Sequence, residues 1–242
     1  MDRLTTLMTQ FQLSVSTADA AQGNLVALGD ETARAVALKY FTKGCARPAS
    51  NVLWAGAVEW SAEVNPFLAA LPDVVTYDIR ENLEAQGIVS LIVSEVAARR
   101  CGAQSVVNRL AEVLIVRLLR DQMQRGATTA GLLAGLADPR ISRAVVAIHD
   151  RPGVSWSNAS LAAEAGLSLS RFAELFAQKV GETPMGYLRR WRLILAERDL
   201  KRGARVDAVA RRYAYASGEA FSRAFRKFYG VSPMAVRKGE AL

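Results

Sequence analysis

The stretch "FSRAFRKFYGVSP" at residues 221–233 decides the fold, because its arrangement occurs twice in the chain. In it Phe221 and Phe225 stand four residues apart, and a glycine and then a proline follow. The stretch "FAELFAQKVGETP" at 172–184 repeats this arrangement 49 residues upstream. Residues at i and i+4 lie on one face of a helix, so each pair of phenylalanines predicts a helix with a buried apolar face. The same short helical unit is therefore expected twice.

The first copy, with the residues before it, indicates a helix-turn-helix motif. A short helix is expected from about Asn158 to Ala165, and it ends at Gly166, which suits a left-handed cap. Ser168 then offers its hydroxyl to the free amides of the second helix. With Phe172 and Phe176 facing inward, the side chains left pointing toward solvent or a ligand are Ser170, Arg171, Ala173, Glu174 and Gln178.

The second copy follows the same plan. Its first helix is expected around Val206, Val209 and Ala210, it turns at 214–216, and it restarts at Ser217. Phe221 and Phe225 form the inner face of the second helix, which leaves outside Glu219, Ser222, Arg223, Arg226 and Lys227. Each copy ends in a glycine followed by Thr-Pro or Ser-Pro, which predicts the start of another helix.

A long helix is expected between the two motifs, over "TPMGYLRRWRLILAERDLKRG" at 183–203. About 20 helical residues span roughly 30 Å, close to the approximately 34 Å between successive major-groove faces on one side of DNA. The arginines at 189, 190, 192 and 198 are expected at the surface or on phosphates. Trp191 and its apolar neighbours join the two motifs into one core. The helix can serve both purposes.

Charge is distributed unevenly along the 242 residues. Residues 1–138 contain 12 Lys and Arg against 14 Asp and Glu, a net charge of −2, whereas 139–242 contain 19 against 9, a net charge of +10. A basic segment suits a polyanion such as duplex DNA, because docking of cations onto phosphates releases counterions. The net charge by itself does not distinguish a DNA-binding surface from a cationic surface that binds no DNA.

The amino-terminal half predicts a small strand-rich unit followed by two helices, so the chain as a whole is expected to be α+β. The strand-like runs are "GNLVALGD" at 23–30, "ARAVALKYF" at 33–41 and "NVLWAGAVEW" at 51–60. Helices are expected over about 79–99 and 103–125, broken at Cys101 and Gly102. The second of these has an apolar face too wide for one neighbour. This face could be covered by a second copy of the chain in a homodimer or by the core of the same chain, and the sequence leaves both interpretations open.

Few residues suit catalysis or metal binding. Cys45 and Cys101 are too far apart for a CxxC motif, and they are interpreted either as buried or indifferent thiols or as redox sensors. The single histidine, His149, is expected at the surface or at a helix cap. We therefore expect no enzyme activity, no metal and no cofactor. Because no long uncharged apolar run or signal peptide is apparent, we expect a cytoplasmic protein without membrane association.

The stretches "LAAEAGLSLSRFAELF" at 161–176, "VGETPMGYLRRWRLILAERDL" at 180–200 and "VARRYAYASGEAFSRAFRKFYGVSP" at 209–233 resemble the DNA-binding domain of AraC/XylS-type transcriptional regulators. The resemblance covers about 139–238 and implies seven helices, two of which read the major groove. One departure is Ala214, where family members usually have glycine. Alanine in a left-handed conformation costs on the order of 1 kcal/mol, so the second turn is expected to be strained or reshaped.

The amino-terminal half resembles the cupin-type sensor domain of one AraC subgroup, through "VEWSAEVNPFLAALPDVV" at 58–75 and "RLAEVLIVRLLRDQ" at 109–122. The strand region is shorter than such a barrel usually needs, so a truncated or degenerate cupin-like domain is expected over 1–128. A linker at 129–138 and the DNA-binding domain at 139–242 follow. No effector is nominated. The candidate contacts are Arg47, Cys45, Trp54 and Trp60, although a tryptophan there is more often a core residue.

These observations favour a sequence-specific regulator that inserts recognition helices at about 168–179 and 217–228 into adjacent major grooves of promoter DNA. Contacts with phosphates would position the protein on the DNA, and contacts with base edges would recognise the sequence. The residues expected to bind DNA are Ser168, Ser170, Arg171, Glu174, Gln178, Ser217, Glu219, Ser222, Arg223, Arg226 and Lys227. A small-molecule effector, a second copy of the chain and RNA polymerase are further expected partners. An architectural DNA binder without effector control is the alternative.

Overall fold

The computed structural model describes residues 13–45, 51–60, 71–125 and 130–239. The chain divides into two compact units, one ending at Thr129 and the other formed by the residues from Ala130 onward. No helix within the described ranges is both long and apolar enough to cross a bilayer.

The amino-terminal unit is built on a five-stranded sheet in which every neighbouring pair is antiparallel. The strand order is β1-β4-β2-β3-β5. The three strand-like runs expected from the sequence are confirmed as β2, β3 and β4, and β1 and β5 are additions. The strands are β1 (Leu13–Thr17), β2 (Leu25–Gly29), β3 (Ala35–Phe41), β4 (Val52–Trp60) and β5 (Val74–Asp78).

Two helices pack on this sheet, α1 (Leu83–Ala98) and α2 (Ala103–Gln124). The first begins later than expected because Asn82 caps it, accepting a hydrogen bond from the Ala85 amide at 3.0 Å. Helix α2 covers the outer edge of β1, where Asn108 accepts from the Val15 amide and Gln104 donates to the Val15 carbonyl. A covered edge strand cannot pair with another chain.

The candidate effector contacts of this unit are scattered. Trp54 is 4% exposed and belongs to the core; Gly56 lies against it, since a Cβ there would come within 2.5 Å of the indole ring. The Trp60 indole N–H donates to the Tyr40 hydroxyl at 2.9 Å. Cys45 is exposed, as is Cys101, which removes the buried alternative for both thiols. Arg47 lies outside the described residues.

The carboxyl-terminal unit is helical, as expected for an α+β chain with an all-α second half. From Ile141 to Lys238 the described chain forms the seven helices that the resemblance implies, and a short helix precedes them. The helices are α3 (Leu132–Ala137), α4 (Ile141–Asp150), α5 (Asn158–Ala165), α6 (Leu169–Val180), α7 (Pro184–Lys201), α8 (Val206–Arg212), α9 (Gly218–Tyr229) and α10 (Pro233–Lys238).

The segment expected to be a linker, 129–138, contains the short helix α3 over Leu132–Ala137. Its leucines at 132, 133 and 136 are all buried, and the Gly131 amide donates to the Lys179 carbonyl at 2.8 Å. Helix α3 is therefore part of the carboxyl-terminal core, because burial of its leucine side chains is more favourable than their exposure to solvent. Asp138 caps as expected, accepting from the Ile141 amide at 3.1 Å, but the helix begins at Ile141 and not at Pro139.

The surface or capping role expected for His149 is wrong. His149 is 1% exposed, its ring stacks on Trp191 with centroids 3.8 Å apart, and its Nε2 makes a hydrogen bond with the Tyr187 hydroxyl. Helix α4 is buried on most of its surface, and Ser142 and His149 are enclosed with its apolar residues. Burial, and secondarily the positive charge of Arg190, lower the pKa of His149 to about 3.

The buried histidine predicts that the carboxyl-terminal unit loses stability in mild acid. The unfolded chain takes up a proton near the ordinary pKa of 6.5, whereas the folded unit does so only near 3. The contribution of His149 to the free energy of unfolding is therefore complete above pH 6.5 and declines as the pH falls. At pH 4.5 the loss is about 3 kcal/mol. Urea unfolding at several pH values measures the slope. His149→Gln is expected to flatten it between pH 6.5 and 4.5, and an unchanged slope would assign the acid sensitivity to other groups.

Candidate nucleic-acid interface

The first helix-turn-helix motif consists of α5 and α6. Ser157 caps α5 by accepting from the Ser160 amide at 3.1 Å, and Gly166 ends the helix with a φ of 65°. Ser168 stands at the N-cap of α6, but its hydroxyl accepts no hydrogen bond from the first turn within the described residues, contrary to expectation. The first turn of α6 is exposed, so its free amides and the Ser168 hydroxyl are accessible to solvent or to a ligand.

Helix α6 has one buried and one polar face, as its sequence predicts. Phe172 and Phe176 are both fully buried, with ring centroids 5.5 Å apart. The opposite face exposes Ser170, Arg171, Glu174 and Gln178. Arg171 and Glu174 form an ion pair at 2.8 Å across one helical turn. Such exposed pairs contribute little free energy, so both side chains remain free to turn to another partner.

The second motif consists of α8 and α9. Ser217 caps α9 by accepting from the Ala220 amide at 3.1 Å, as expected. Phe221 and Phe225 are fully buried, and Tyr215 of the turn packs edge-on against Phe221 with centroids 5.2 Å apart. Of the residues expected to bind DNA, Ser222 is partly buried, and the exposed ones are Ser217, Glu219, Arg223, Arg226 and Lys227.

Ala214 adopts the left-handed conformation expected at the second turn, with a φ of 55°. An alanine Cβ is strained there and a glycine is not. Ala214→Gly is therefore expected to stabilise the unit by about 0.5–1 kcal/mol in thermal or urea unfolding. Ala216→Gly is the matched control, because Ala216 is not among the residues with positive φ, and it is expected to destabilise. Equal effects of the two substitutions would contradict the strain.

Helix α7 joins the two motifs. Thr183 caps it, accepting from the Gly186 amide at 3.2 Å, and Pro184 is its first residue. Its 18 residues correspond to about 27 Å at 1.5 Å per residue. Trp191 lies in the buried face. The helix is therefore both a connector and a core element.

Arg192 and Arg190 of α7 have partners within the protein. Arg192 donates to the carbonyls of Pro152 and Val154 at 2.7 and 2.8 Å, and burial lowers its pKa. Arg190 pairs with Glu182 and lies over the Tyr187 ring at 5.2 Å. The surface or phosphate role expected for these two is therefore replaced by internal contacts, whereas Arg189 is exposed as expected.

A polar contact that the sequence did not suggest fixes the second motif to α7. Asp199, 8% exposed, accepts hydrogen bonds from the Tyr213 hydroxyl at 2.8 Å and from Arg212 at 2.6 Å. The hydrogen bond that Arg212 donates to Asp199 raises the pKa of Arg212, and burial, followed by the same carboxylate, raises the pKa of Tyr213. Nothing in its sequence context singles it out, because Asp199 stands in the charged stretch "ERDLK" at 197–201.

Comparison with known proteins agrees with this architecture. The family described as "Cupin" matches residues 8–124, and the family described as "Helix-turn-helix domain" matches 161–239. AlkR of Acinetobacter baylyi, an HTH-type transcriptional regulator, is 32% identical over 181 residues, which are 72% of this chain and 58% of AlkR. A Streptomyces lividans protein described as an AraC-like transcription regulator is 36% identical over 155 residues, 63% of this chain and 51% of that protein.

Among solved structures, the DNA-binding domain of AdpA in complex with a target DNA is 30% identical and covers 42% of this chain and 92% of its own, with a TM-score of 0.39. The two family matches confirm the resemblance found in the sequence. The chain carries a cupin domain in its amino-terminal half and an AraC-type helix-turn-helix domain in its carboxyl-terminal half. It spans about half the length of the curated relatives that it matches, 51% of the Streptomyces lividans protein.

Proposed function

We propose that the protein is a sequence-specific DNA-binding transcriptional regulator that inserts α6 and α9 into adjacent major grooves. The observation that carries the proposal is the doubled motif: each second helix buries two phenylalanines and exposes a polar, partly cationic face. The connector of about 27 Å approaches the 34 Å groove repeat. The net charge of +10 over 139–242 supplies the attraction to phosphates.

The proposed division of labour follows from side-chain chemistry. Arginine suits the guanine edge and glutamate the amino group of cytosine, so base reading is assigned to Ser170, Arg171, Glu174 and Gln178 of α6 and to Glu219, Ser222 and Arg223 of α9. The cations Arg226 and Lys227 lie in the last turn of α9, and with the hydroxyls of Ser168 and Ser217 they are assigned to phosphates.

Arg223→Ala tests this assignment. Operators are first selected from a random DNA pool with the full chain, and affinities are then measured for an operator and for random DNA at one salt concentration. Loss of a base contact costs about 1–3 kcal/mol, so binding to the operator should weaken by roughly 5- to 150-fold and binding to random DNA much less. Arg226→Ala, on the same helix, should weaken both equally. Equal losses for Arg223→Ala would place Arg223 on the backbone.

The selection also separates a regulator from an architectural DNA binder. A regulator should enrich one sequence and protect a site one to two helical turns long at physiological salt. Uniform coating of every fragment, with steep salt dependence and no enriched sequence, would contradict sequence-specific regulation.

We further propose that the amino-terminal unit forms a homodimer through α1 and α2. Their outer faces expose Leu83, Leu91, Val106 and Val113, which are 73%, 55%, 41% and 43% accessible. Val106 and Val113 lie two turns apart on one face of α2. Sedimentation should show a dimer that Val113→Glu dissociates, whereas Val154→Glu, at a valine 42% exposed in the other unit, should leave it intact. A monomeric wild type would contradict the dimer.

We also propose that an effector controls the protein through the amino-terminal unit and that the protein contacts RNA polymerase. Both roles place it in the cytoplasm, where promoters are accessible. An effector can act only if it binds one state of the protein more tightly than another. Deleting residues 1–130 and mapping bound sites in cells tests the control: unchanged occupancy would show that the amino-terminal unit does not govern binding.

A further inference from the structure

The amino-terminal unit contains an arginine-rich pocket of about 720 Å³ that the proposed DNA interface does not involve. It lies where the end of β5, the start of α1 and the last turns of α2 meet. Four arginines line it: Arg80, Arg117, Arg120 and Arg125. Guanidinium groups bind carboxylates and phosphates through two parallel hydrogen bonds, so four of them around one opening favour an anionic ligand.

Three of these arginines, Arg80, Arg120 and Arg125, are only weakly engaged with the protein's own carboxylates. Arg80 pairs with Asp78 at 2.9 Å and Arg125 with Asp121 at 2.8 Å, and the two guanidinium side chains are 72% and 58% exposed. Exposed pairs of this kind contribute about 0–1 kcal/mol. Arg120 makes no ion pair with any residue of the described ranges. An incoming anion therefore has little to displace.

The floor of the pocket is preorganised by polar contacts. Tyr77 is 7% exposed, and its hydroxyl accepts a hydrogen bond from the side-chain amide of Asn82 at 2.8 Å. Asn82 is also the N-cap of α1, so the positive end of that helix faces the same region. Arg117 is held from one side by Glu84 and interacts with Tyr77, and both contacts raise its pKa. The guanidinium group is thus fixed and fully charged.

We propose that this pocket binds a small, strongly polar metabolite that carries a phosphate or carboxylate group. The lining also includes Asp78, Glu81 and Asp121, which suit hydroxyl or amino groups elsewhere on the same ligand. The pocket lies outside the sheet and is formed at its edge and by the helix ends. Its volume exceeds that of a single inorganic anion, so a molecule with more than one polar group fits it better.

The position of the pocket suits a ligand that regulates DNA binding, and this role rests on the proposed function. Arg120 and Gln124 lie in the last turns of α2, and Arg125 follows directly, five residues before the second unit begins at Ala130. A ligand that bridges Arg125 and Arg80 restrains the end of α2, where the chain leaves for the DNA-binding unit. Occupancy then favours the conformations of α2 that complete the pocket.

Calorimetric titration of the full chain without DNA tests the pocket. Pyrophosphate and citrate serve as the probes, at constant ionic strength with chloride as the reference anion. At least one probe should bind the wild type, and which one does so separates a phosphate from a carboxylate ligand. Arg120→Gln and Arg125→Gln should each weaken binding at least tenfold. Arg109→Gln removes the same charge from an exposed position three turns away on α2, outside the pocket, and should change binding less than twofold.

Two outcomes would overturn the proposal. One is a wild type that binds neither probe at millimolar concentration beyond the chloride reference. The other is a loss in Arg109→Gln as large as in Arg120→Gln, which would mean general attraction to a cationic surface. Circular dichroism of each variant confirms that it is folded. Because no DNA is present, failure here leaves the DNA-binding proposal standing, and failure of operator selection leaves this result standing.

Discussion

Phe225→Ala is expected to lower the free energy of unfolding of the carboxyl-terminal unit by about 3–5 kcal/mol. Phe225 is fully buried, and its ring lies 5.5 Å from Phe221 and 4.7 Å from Tyr229, centroid to centroid. Truncation leaves a cavity beneath the polar face of α9 that the neighbouring rings cannot close. Urea unfolding followed by circular dichroism measures the change.

Phe228→Ala is the matched control for that substitution. It removes the same atoms from the same helix, but Phe228 is 39% exposed, so the expected loss is about 1 kcal/mol or less. Equal losses for the two phenylalanines would contradict the orientation of α9. Because that orientation decides which side chains face DNA, the comparison also tests the assignment of Arg223 to the outer face.

Asp199→Ala is expected to cost about 2–3 kcal/mol, since it leaves the buried Tyr213 hydroxyl without its acceptor and removes the partner of Arg212. Arg212 is 58% exposed and regains water, so most of the loss belongs to Tyr213. Tyr213→Phe alone should cost about 1 kcal/mol. The double variant should be no less stable than Asp199→Ala, because the stranded hydroxyl is then absent. Strictly additive losses would show that the two residues do not interact.

Local signals made the two helix-turn-helix motifs predictable. The paired phenylalanines define which face of α6 and α9 is buried, and glycine at 166, 181 and 230 marks the helix ends with positive φ. These features depend on residues within a few positions of one another. The exposed polar residues of α6 and α9 follow from the same periodicity, which is why nearly all of those expected to bind DNA lie at the surface.

Features that depend on distant residues were missed. Strands β1 and β5 are only five residues long, so their alternation of buried and exposed side chains covers too few residues to stand out in the sequence. His149 is buried because Trp191 and Tyr187, some 40 positions later, enclose it. The same holds for Asp199, whose partners lie on another helix. Ser168 shows the limit of local reasoning, since its backbone forms a cap without its hydroxyl.

Methylation interference on a selected operator tests the central claim most directly, because it reports guanine N7 contacts in the major groove. With the wild-type protein we expect two clusters of interference about 10 base pairs apart, one for each recognition helix. Arg171→Ala should remove contacts from one cluster and Arg223→Ala from the other. A single cluster, or two substitutions that affect the same cluster, would contradict the insertion of α6 and α9 into adjacent grooves.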